Sequence, residues 1–123
     1  MDFIDWQHAL EHCKYDETAG IKIAKLAGDS QFSTYLTSID KGKSVNPHYH
    51  KQGDEHYHII CGRGEITLTD IKSKTQTTTA VNQHSSFVVP ANTLHTLKNI
   101  GDELLILMFS CPEDHLKEDR FLL

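Results

Sequence analysis

Histidines offer the clearest candidates for chemistry in this sequence. The chain has nine histidines among 123 residues, and four of them, His48, His50, His56 and His58, fall within eleven residues. Neutral imidazole is among the commonest protein ligands for metal ions. Side chains two positions apart on a strand share a face, so His48 and His50 could bind one ion together. A His-x-His pair alone does not define a metal site, and the surrounding residues must decide.

The residues that follow the His-x-His pair predict a turn and then a strand. Positions 51–54, Lys-Gln-Gly-Asp, have the composition of a turn. A strand that begins at Glu55 and returns beside the first would bring Glu55 next to the two histidines. Alternation then places Tyr57 on the Glu55 face and His56 and His58 on the opposite face, where we expect them not to be ligands. A one-residue shift in register would exchange the two sets and remove Glu55 from the site.

The wider spacing of these residues resembles the two sequence motifs of the cupin family. The first motif is matched at every marked position: Gly42, His48, His50, Glu55 and Gly62. The second motif is matched by Pro90, His95 and Asn99, whereas His84 and Asn92 stand where the family usually has glycine. Asn tolerates the left-handed conformation that glycine supplies, so that change costs little. For His84 two interpretations remain, a solvent-exposed loop residue or a residue near the mouth of a barrel.

The resemblance implies a small single-domain cupin, an RmlC-like jelly roll that holds one metal ion. Carried over by position, the ligands are His48, His50, Glu55 and His95. Three imidazoles and one carboxylate suit a divalent ion of Fe, Mn, Ni, Zn, Co or Cu, and no thiolate narrows the choice. A six-coordinate ion held by four protein groups would keep two positions for water, O₂ or a small-molecule substrate.

The rest of the chain predicts the short strands that would position these side chains. A short helix is predicted from Asp5 to Cys13, with Asp5 as its N-cap. After Gly20, nine stretches rich in β-branched or aromatic residues alternate with turn residues: 21–26, 32–39, 48–50, 56–61, 65–69, 75–81, 86–89, 93–98 and 104–110. Such strands favour an all-β, antiparallel jelly-roll barrel over a βαβ sheet. We therefore expect an N-terminal helical extension (1–20), a cupin β-barrel (21–111) and a C-terminal tail (112–123) that packs on the barrel or on a partner.

Composition argues against several classes of partner. The net charge is −5 and no cluster of Lys and Arg occurs, so we expect neither nucleic acid nor an anionic membrane surface as a partner.

No apolar stretch approaches the roughly 20 residues that a spanning helix needs, and the first five residues lack the features of a secretory signal. Cys13, Cys61 and Cys111 suit free thiols in a reducing compartment. These features together predict a cytoplasmic protein.

The cupin resemblance leaves three functions open, and the catalytic residues stay unknown. One is a metal-dependent, dioxygenase-like enzyme acting on a small polar molecule. A sugar or sugar-phosphate isomerase is the second, although no basic cluster is present to bind a phosphate. The third is a non-catalytic module that binds or senses a small ligand, which a barrel filled by large side chains beside the ion would favour. Small cupins also resemble one another in pairing as dimers, so we expect a homodimer, with His56 and His58 as candidates for its surface.

Overall fold

The computed structural model describes residues 3–123, so the first two residues of the predicted N-terminal extension lie outside the described residues. The elements, in chain order, are α1 (Trp6–His12), β1 (Tyr15–Asp16), β2 (Ile21–Gly28), β3 (Ser33–Ile39), β4 (Glu55–Cys61), β5 (Arg63–Asp70), β6 (Gln76–Asn82), β7 (Ser86–Val89), β8 (Thr93–Asn99), β9 (Leu105–Cys111) and a 3₁₀ turn (Glu113–Leu116). The predicted helix forms, and the Asp5 side chain caps it by accepting a hydrogen bond from the His8 amide at 2.9 Å.

The strands form two antiparallel sheets, as the sequence predicts. One sheet has six strands in the order β1-β2-β3-β9-β4-β7, and the other has three in the order β6-β5-β8. Strand β9 lies between β3 and β4 and alternates strictly between buried and half-buried positions, which is typical of a strand with one face on the core. Its inward side chains, Leu105, Leu107, Phe109 and Cys111, form part of the core.

The prediction of a strand at His48–His50 is wrong, and so is the pairing expected for Glu55. The segment around His48 forms only isolated bridges, His48 with His95 of β8 and Tyr49 with Phe121 of the tail. Glu55 begins β4, whose neighbours are β7 and β9, and its partner in the register is Val89. Neighbouring residues of the segment pair with different parts of the chain, so the segment forms no continuous β-ladder.

Two turns have the backbone conformation that the cupin motif assigns to glycine. His84 has φ +75° and Asn92 has φ +58°. His84 lies in the exposed turn before β7, so its interpretation as a solvent-exposed loop residue is confirmed. The motif glycines Gly42 and Gly62 also have positive φ, +77° and +94°, a region that side chains rarely occupy.

Both ends of the chain pair with strands or segments of the barrel. Within the predicted N-terminal extension, β1 pairs with β2 and so joins the larger sheet. The tail folds back on the chain's own barrel, through the 3₁₀ turn and the bridge between Phe121 and Tyr49. No helix in the described part of the chain has the length and hydropathy needed to cross a bilayer.

Candidate metal centre

His48 and His95 are brought together by backbone pairing along one edge of the smaller sheet. Residues 44–48 run beside β8, where the Val45 amide donates to the Leu97 carbonyl at 2.9 Å. The His95 amide then donates to the His48 carbonyl at 2.9 Å. The two imidazole rings lie edge to face with centroids 4.4 Å apart. Both side chains are buried and face the interior.

Glu55 and His50 complete the cluster. Glu55 is the first residue of β4 and is 2% exposed, and its Oε2 lies 3.2 Å from His50 Nε2. The other carboxylate oxygen, Oε1, lies 3.4 Å from His95 Nε2. Candidate ligand atoms of His48, His50 and His95 all lie within 4.8 Å of one another. The structure therefore brings the four residues predicted from the sequence to one buried point.

The hydrogen bonds of the three imidazoles determine where their lone pairs point. Nδ1 of His48 contacts the Asn46 carbonyl at 2.7 Å, that of His50 the Asp119 carbonyl at 2.6 Å, and that of His95 the Thr93 carbonyl at 3.1 Å. A carbonyl oxygen only accepts, so Nδ1 is the protonated nitrogen in each neutral ring. Each Nε2 is then left with a lone pair for another partner. This arrangement is typical of metal-binding histidines.

The geometry fits a cation better than it fits the side chains alone. Nε2 of His50 and Nε2 of His95 are buried atoms without a hydrogen-bond partner. Both lone pairs face the Glu55 carboxylate at hydrogen-bonding distance with no hydrogen between them. Contacts between acceptors are unfavourable in a buried site, and an ion placed among them would turn each one into a ligand.

The protonation states of Glu55 and His48 also suit a bound metal ion. Burial raises the pKa of the Glu55 carboxyl, but the hydrogen bond from His115 and the other histidine contacts outweigh it and hold the pKa well below its usual value. Burial lowers the pKa of His48 to about 4, and the nearby His95 adds to this shift. At neutral pH the cluster therefore offers one carboxylate and a neutral His48 imidazole, the forms that bind metals. Tyr57 donates a hydrogen bond to Glu55 Oε1 at 2.9 Å from within the same strand.

Two residues beside the cluster, His115 and Asp119 of the tail, were missed by sequence reasoning. His115, in the 3₁₀ turn of the tail, is 1% exposed, and its Nδ1 lies 2.9 Å from Glu55 Oε2. Its ring stacks on that of His50 with centroids 4.0 Å apart and an interplanar angle of 4°. His115 is 60 residues from Glu55 in the chain, outside both motifs, and no periodicity marks it as buried.

Other histidines lie where the alternation predicts. His56 and His58 are exposed on the outer face of β4, whereas Tyr57 and Ile59 are buried on the Glu55 face. The register shift that would have exchanged the two sets does not occur. His58 Nδ1 contacts the Ser86 hydroxyl on the neighbouring strand at 2.8 Å, away from the cluster.

A small cavity adjoins the cluster. Apolar side chains form much of its wall, among them Ile21, Val45, Leu107 and Leu116, and His48, His50 and Glu55 form its polar side. About 20 Å³ of it is open to the centre of a water molecule. That space holds one or two waters, so the interior beside the cluster is nearly filled.

The two antiparallel sheets give this chain a cupin fold, the all-β jelly roll predicted from the sequence. The chain belongs to the family described as the polysaccharide biosynthesis C-terminal domain, whose model matches residues 17–120. No curated protein sequence matches the chain.

Solved structures support the cupin fold. CapF, in a complex with the inhibitor 3-isopropenyl-tropolone, is 16% identical with a TM-score of 0.74, over 84% of this chain and 31% of CapF. Oxalate decarboxylase of Bacillus subtilis, which has Mn(II) centres, is 22% identical with a TM-score of 0.72, over 86% of this chain and 29% of the enzyme. The cupin domain of Cnp3 from Schizosaccharomyces pombe is 24% identical with a TM-score of 0.65, over 80% of this chain and 68% of that domain. This chain thus spans about three-tenths of the length of CapF and of oxalate decarboxylase.

Proposed function

We propose that this protein binds one divalent transition metal ion through His48, His50, Glu55 and His95. The observation that carries the proposal is the pair of buried Nε2 atoms, on His50 and His95, that face an ionised carboxylate without any hydrogen-bond partner. Burying an anion and two lone pairs together is costly, and a bound cation removes that cost. A bound ion would supply Lewis acidity and open coordination positions for a small ligand.

The donor set restricts the metal only to a class. Nitrogen and oxygen donors without thiolate suit Mn, Fe, Co, Ni, Cu and Zn. Manganese is the first ion to test, because the structurally similar oxalate decarboxylase has Mn(II) centres.

Metal content with matched variants tests this proposal. Protein purified without an affinity tag should contain close to one ion per chain by elemental analysis after loading with Mn²⁺ or Fe²⁺. His48→Ala should lose most of the ion, because it removes one of the ligands. His56→Ala is the control, since His56 lies in the same region of sequence but points outward. Equal metal content in wild type and His48→Ala would contradict the ligand assignment.

We further propose that the bound ion serves a reaction on a small polar molecule, with O₂-dependent chemistry as the first case to test. The supporting observation is the small space beside the cluster, which accommodates a ligand of a few atoms more readily than a sugar phosphate. The test is oxygen uptake by the Fe²⁺-loaded protein with small diketones, thiols and phenols. Uptake that depends on both substrate and His48 would support the proposal.

Carbohydrate chemistry is the second candidate, favoured by the match to the polysaccharide biosynthesis family. Its test is NMR of sugars and nucleotide sugars incubated with the metal-loaded protein, with His48→Ala as the control. New sugar resonances would favour this candidate over oxygen chemistry. Ligand line broadening without product would instead favour a module that binds without turnover, which the nearly filled interior also supports.

A further inference from the structure

The tail segment, defined here as residues 112–121, runs directly beside the cluster. After β9 it makes the 3₁₀ turn Glu113–Leu116 and then pairs with Tyr49. The Tyr49 amide donates to the Phe121 carbonyl at 3.0 Å, and the Phe121 amide donates to the Tyr49 carbonyl at the same distance. Tyr49 stands between the two histidines of the His-x-His pair. The segment is therefore fixed to the backbone that carries two of the candidate ligands.

His115 of the tail segment holds the Glu55 carboxylate. One ring nitrogen, Nε2, contacts the Gln52 carbonyl, which can only accept, so Nε2 carries a proton. The other, Nδ1, lies 2.9 Å from Glu55 Oε2, a second acceptor, so the ring holds Glu55 as the imidazolium, which donates from both nitrogens. Both nitrogens of His115 are thus engaged, which makes it a positioning residue for Glu55 and not a fifth ligand. With Tyr57 bonded to Oε1, each carboxylate oxygen has one protein partner and a lone pair left for an ion.

Asp119 of the tail segment holds His50 and the turn that follows it. The Asp119 backbone carbonyl accepts the hydrogen bond from His50 Nδ1 at 2.6 Å. Its carboxylate accepts from the amides of Lys51 at 2.7 Å and Gln52 at 2.8 Å. Asp119 therefore fixes both the ring orientation of His50 and the backbone after it.

The ring orientations of the other two candidate ligands do not come from the tail segment. Nδ1 of His48 bonds to the carbonyl of Asn46, and Nδ1 of His95 bonds to the carbonyl of Thr93, each two residues earlier in the chain. The site thus has one pair of ligands oriented locally and one pair oriented by a segment 60 to 69 residues away in sequence.

We propose that the tail segment is part of the metal site, and that His115 and Asp119 set its affinity by positioning Glu55 and His50. This inference rests on the proposed metal binding and deepens it. Partners that orient metal ligands typically contribute about 10-fold to 100-fold in affinity. These same contacts contribute to holding the tail segment on the barrel, so its docking and the geometry of the ligands are coupled.

The test compares metal affinity in His115→Leu, His115→Asn and the wild type, by competition with a chromophoric chelator for Mn²⁺ or Co²⁺. His115→Leu removes the contact to Glu55 and should weaken binding by about 10-fold to 100-fold. The amide nitrogen of His115→Asn can occupy the place of Nδ1, so this variant should recover part of the loss. Glu118→Gln is the control, because Glu118 is exposed within the same segment.

The visible spectrum of the Co²⁺-loaded protein gives a second measurement that stability alone would not change. Its d–d bands should shift in His115→Leu and remain as in the wild type in Glu118→Gln, because only the first change alters the coordination of the ion. A folded His115→Leu variant with wild-type affinity and spectrum would overturn the inference. If His115→Leu does not fold, Asp119→Ala decides, because it removes both side-chain contacts to the turn after His50, and unchanged affinity and spectrum in this variant would overturn the inference.

Different results would contradict the proposed metal binding and the proposed role of the tail segment. A wild-type protein that binds no ion would contradict the proposed function before any variant is compared. A wild-type protein that binds an ion through His48, with affinity unaffected by changes in the tail segment, would contradict this inference alone.

Discussion

In the three candidate histidine ligands, the position of the ring proton decides which nitrogen can bind a metal ion. Each donates from Nδ1 to a backbone carbonyl, and so each presents Nε2 to the same buried point. Outward histidines such as His56 have the same side chain without that environment. Residue type and spacing could predict which four side chains meet, because they stand at marked positions of the cupin motifs, whereas the carbonyl that orients each ring depends on the fold.

His84 is a residue at which the chain departs from the motif at a cost in stability. Its φ is +75°, a left-handed conformation that a side chain destabilises by about 1–2 kcal/mol. His84→Gly should therefore raise the free energy of unfolding, by about 0.5–1 kcal/mol after the greater flexibility of glycine in the unfolded chain is deducted. Thermal denaturation should show this as a Tm higher by a few degrees.

The neighbouring Gln83 gives the control for this prediction. Gln83 is not among the residues with positive φ, so Gln83→Gly should leave stability unchanged or lower it. A His84→Gly protein that is less stable than the wild type would show that the His84 side chain contributes something beyond its turn.

At the scale of elements, the sequence predicts strands well and predicts the connections between them poorly. Eight of the nine predicted strands form, because alternation and β-branched residues act locally. The segment at His48–His50 fails as a strand because its partners, β8 and the tail segment, lie far away in the chain. His115 escaped prediction for the same reason, since its burial results from how the tail folds back and not from any pattern around it.

A salt bridge also links the tail segment to β2. Glu113 contacts Lys117 at 2.9 Å and Lys25 of β2 at 2.6 Å, and these two ammonium groups lower the pKa of Glu113 to about 2. A carboxyl whose pKa is lowered on folding stabilises the fold above its unfolded pKa, about 4.5, and this contribution is lost as the pH falls toward 2. The Lys25→Met, Lys117→Met double variant should bring the pKa of Glu113 back toward 4.5.

Carboxyl ¹³C NMR titration measures that pKa directly. Lys41→Met is the matched control, because Lys41 pairs with the exposed Asp102 instead. An unchanged Glu113 titration in the double variant would mean that the two lysines do not determine its pKa.

At the scale of the whole molecule, the homodimer expected from the cupin resemblance stays a prediction. The outer face of β4 and β7 presents His56, His58 and Val88, and Val88 is 46% exposed and pairs with His56. We expect a dimer by sedimentation velocity at micromolar concentration. Val88→Asp should shift it toward monomer, because it buries a charge at that surface. Thr77→Asp, on the exposed face of β6, should leave the dimer intact, and a wild-type monomer at every concentration would contradict the prediction.

Glu55 and His95 belong to different sheets, β4 in the larger and β8 in the smaller. A metal ion bound to both would tie the two layers of the barrel together at its centre, much as a covalent crosslink would. Separation of the two sheets would then require a bond to the ion to break, so amides of β4 and β8 that exchange by this opening would be protected together by the bound ion. The ion would thus protect the interior of the barrel as well as provide its chemistry.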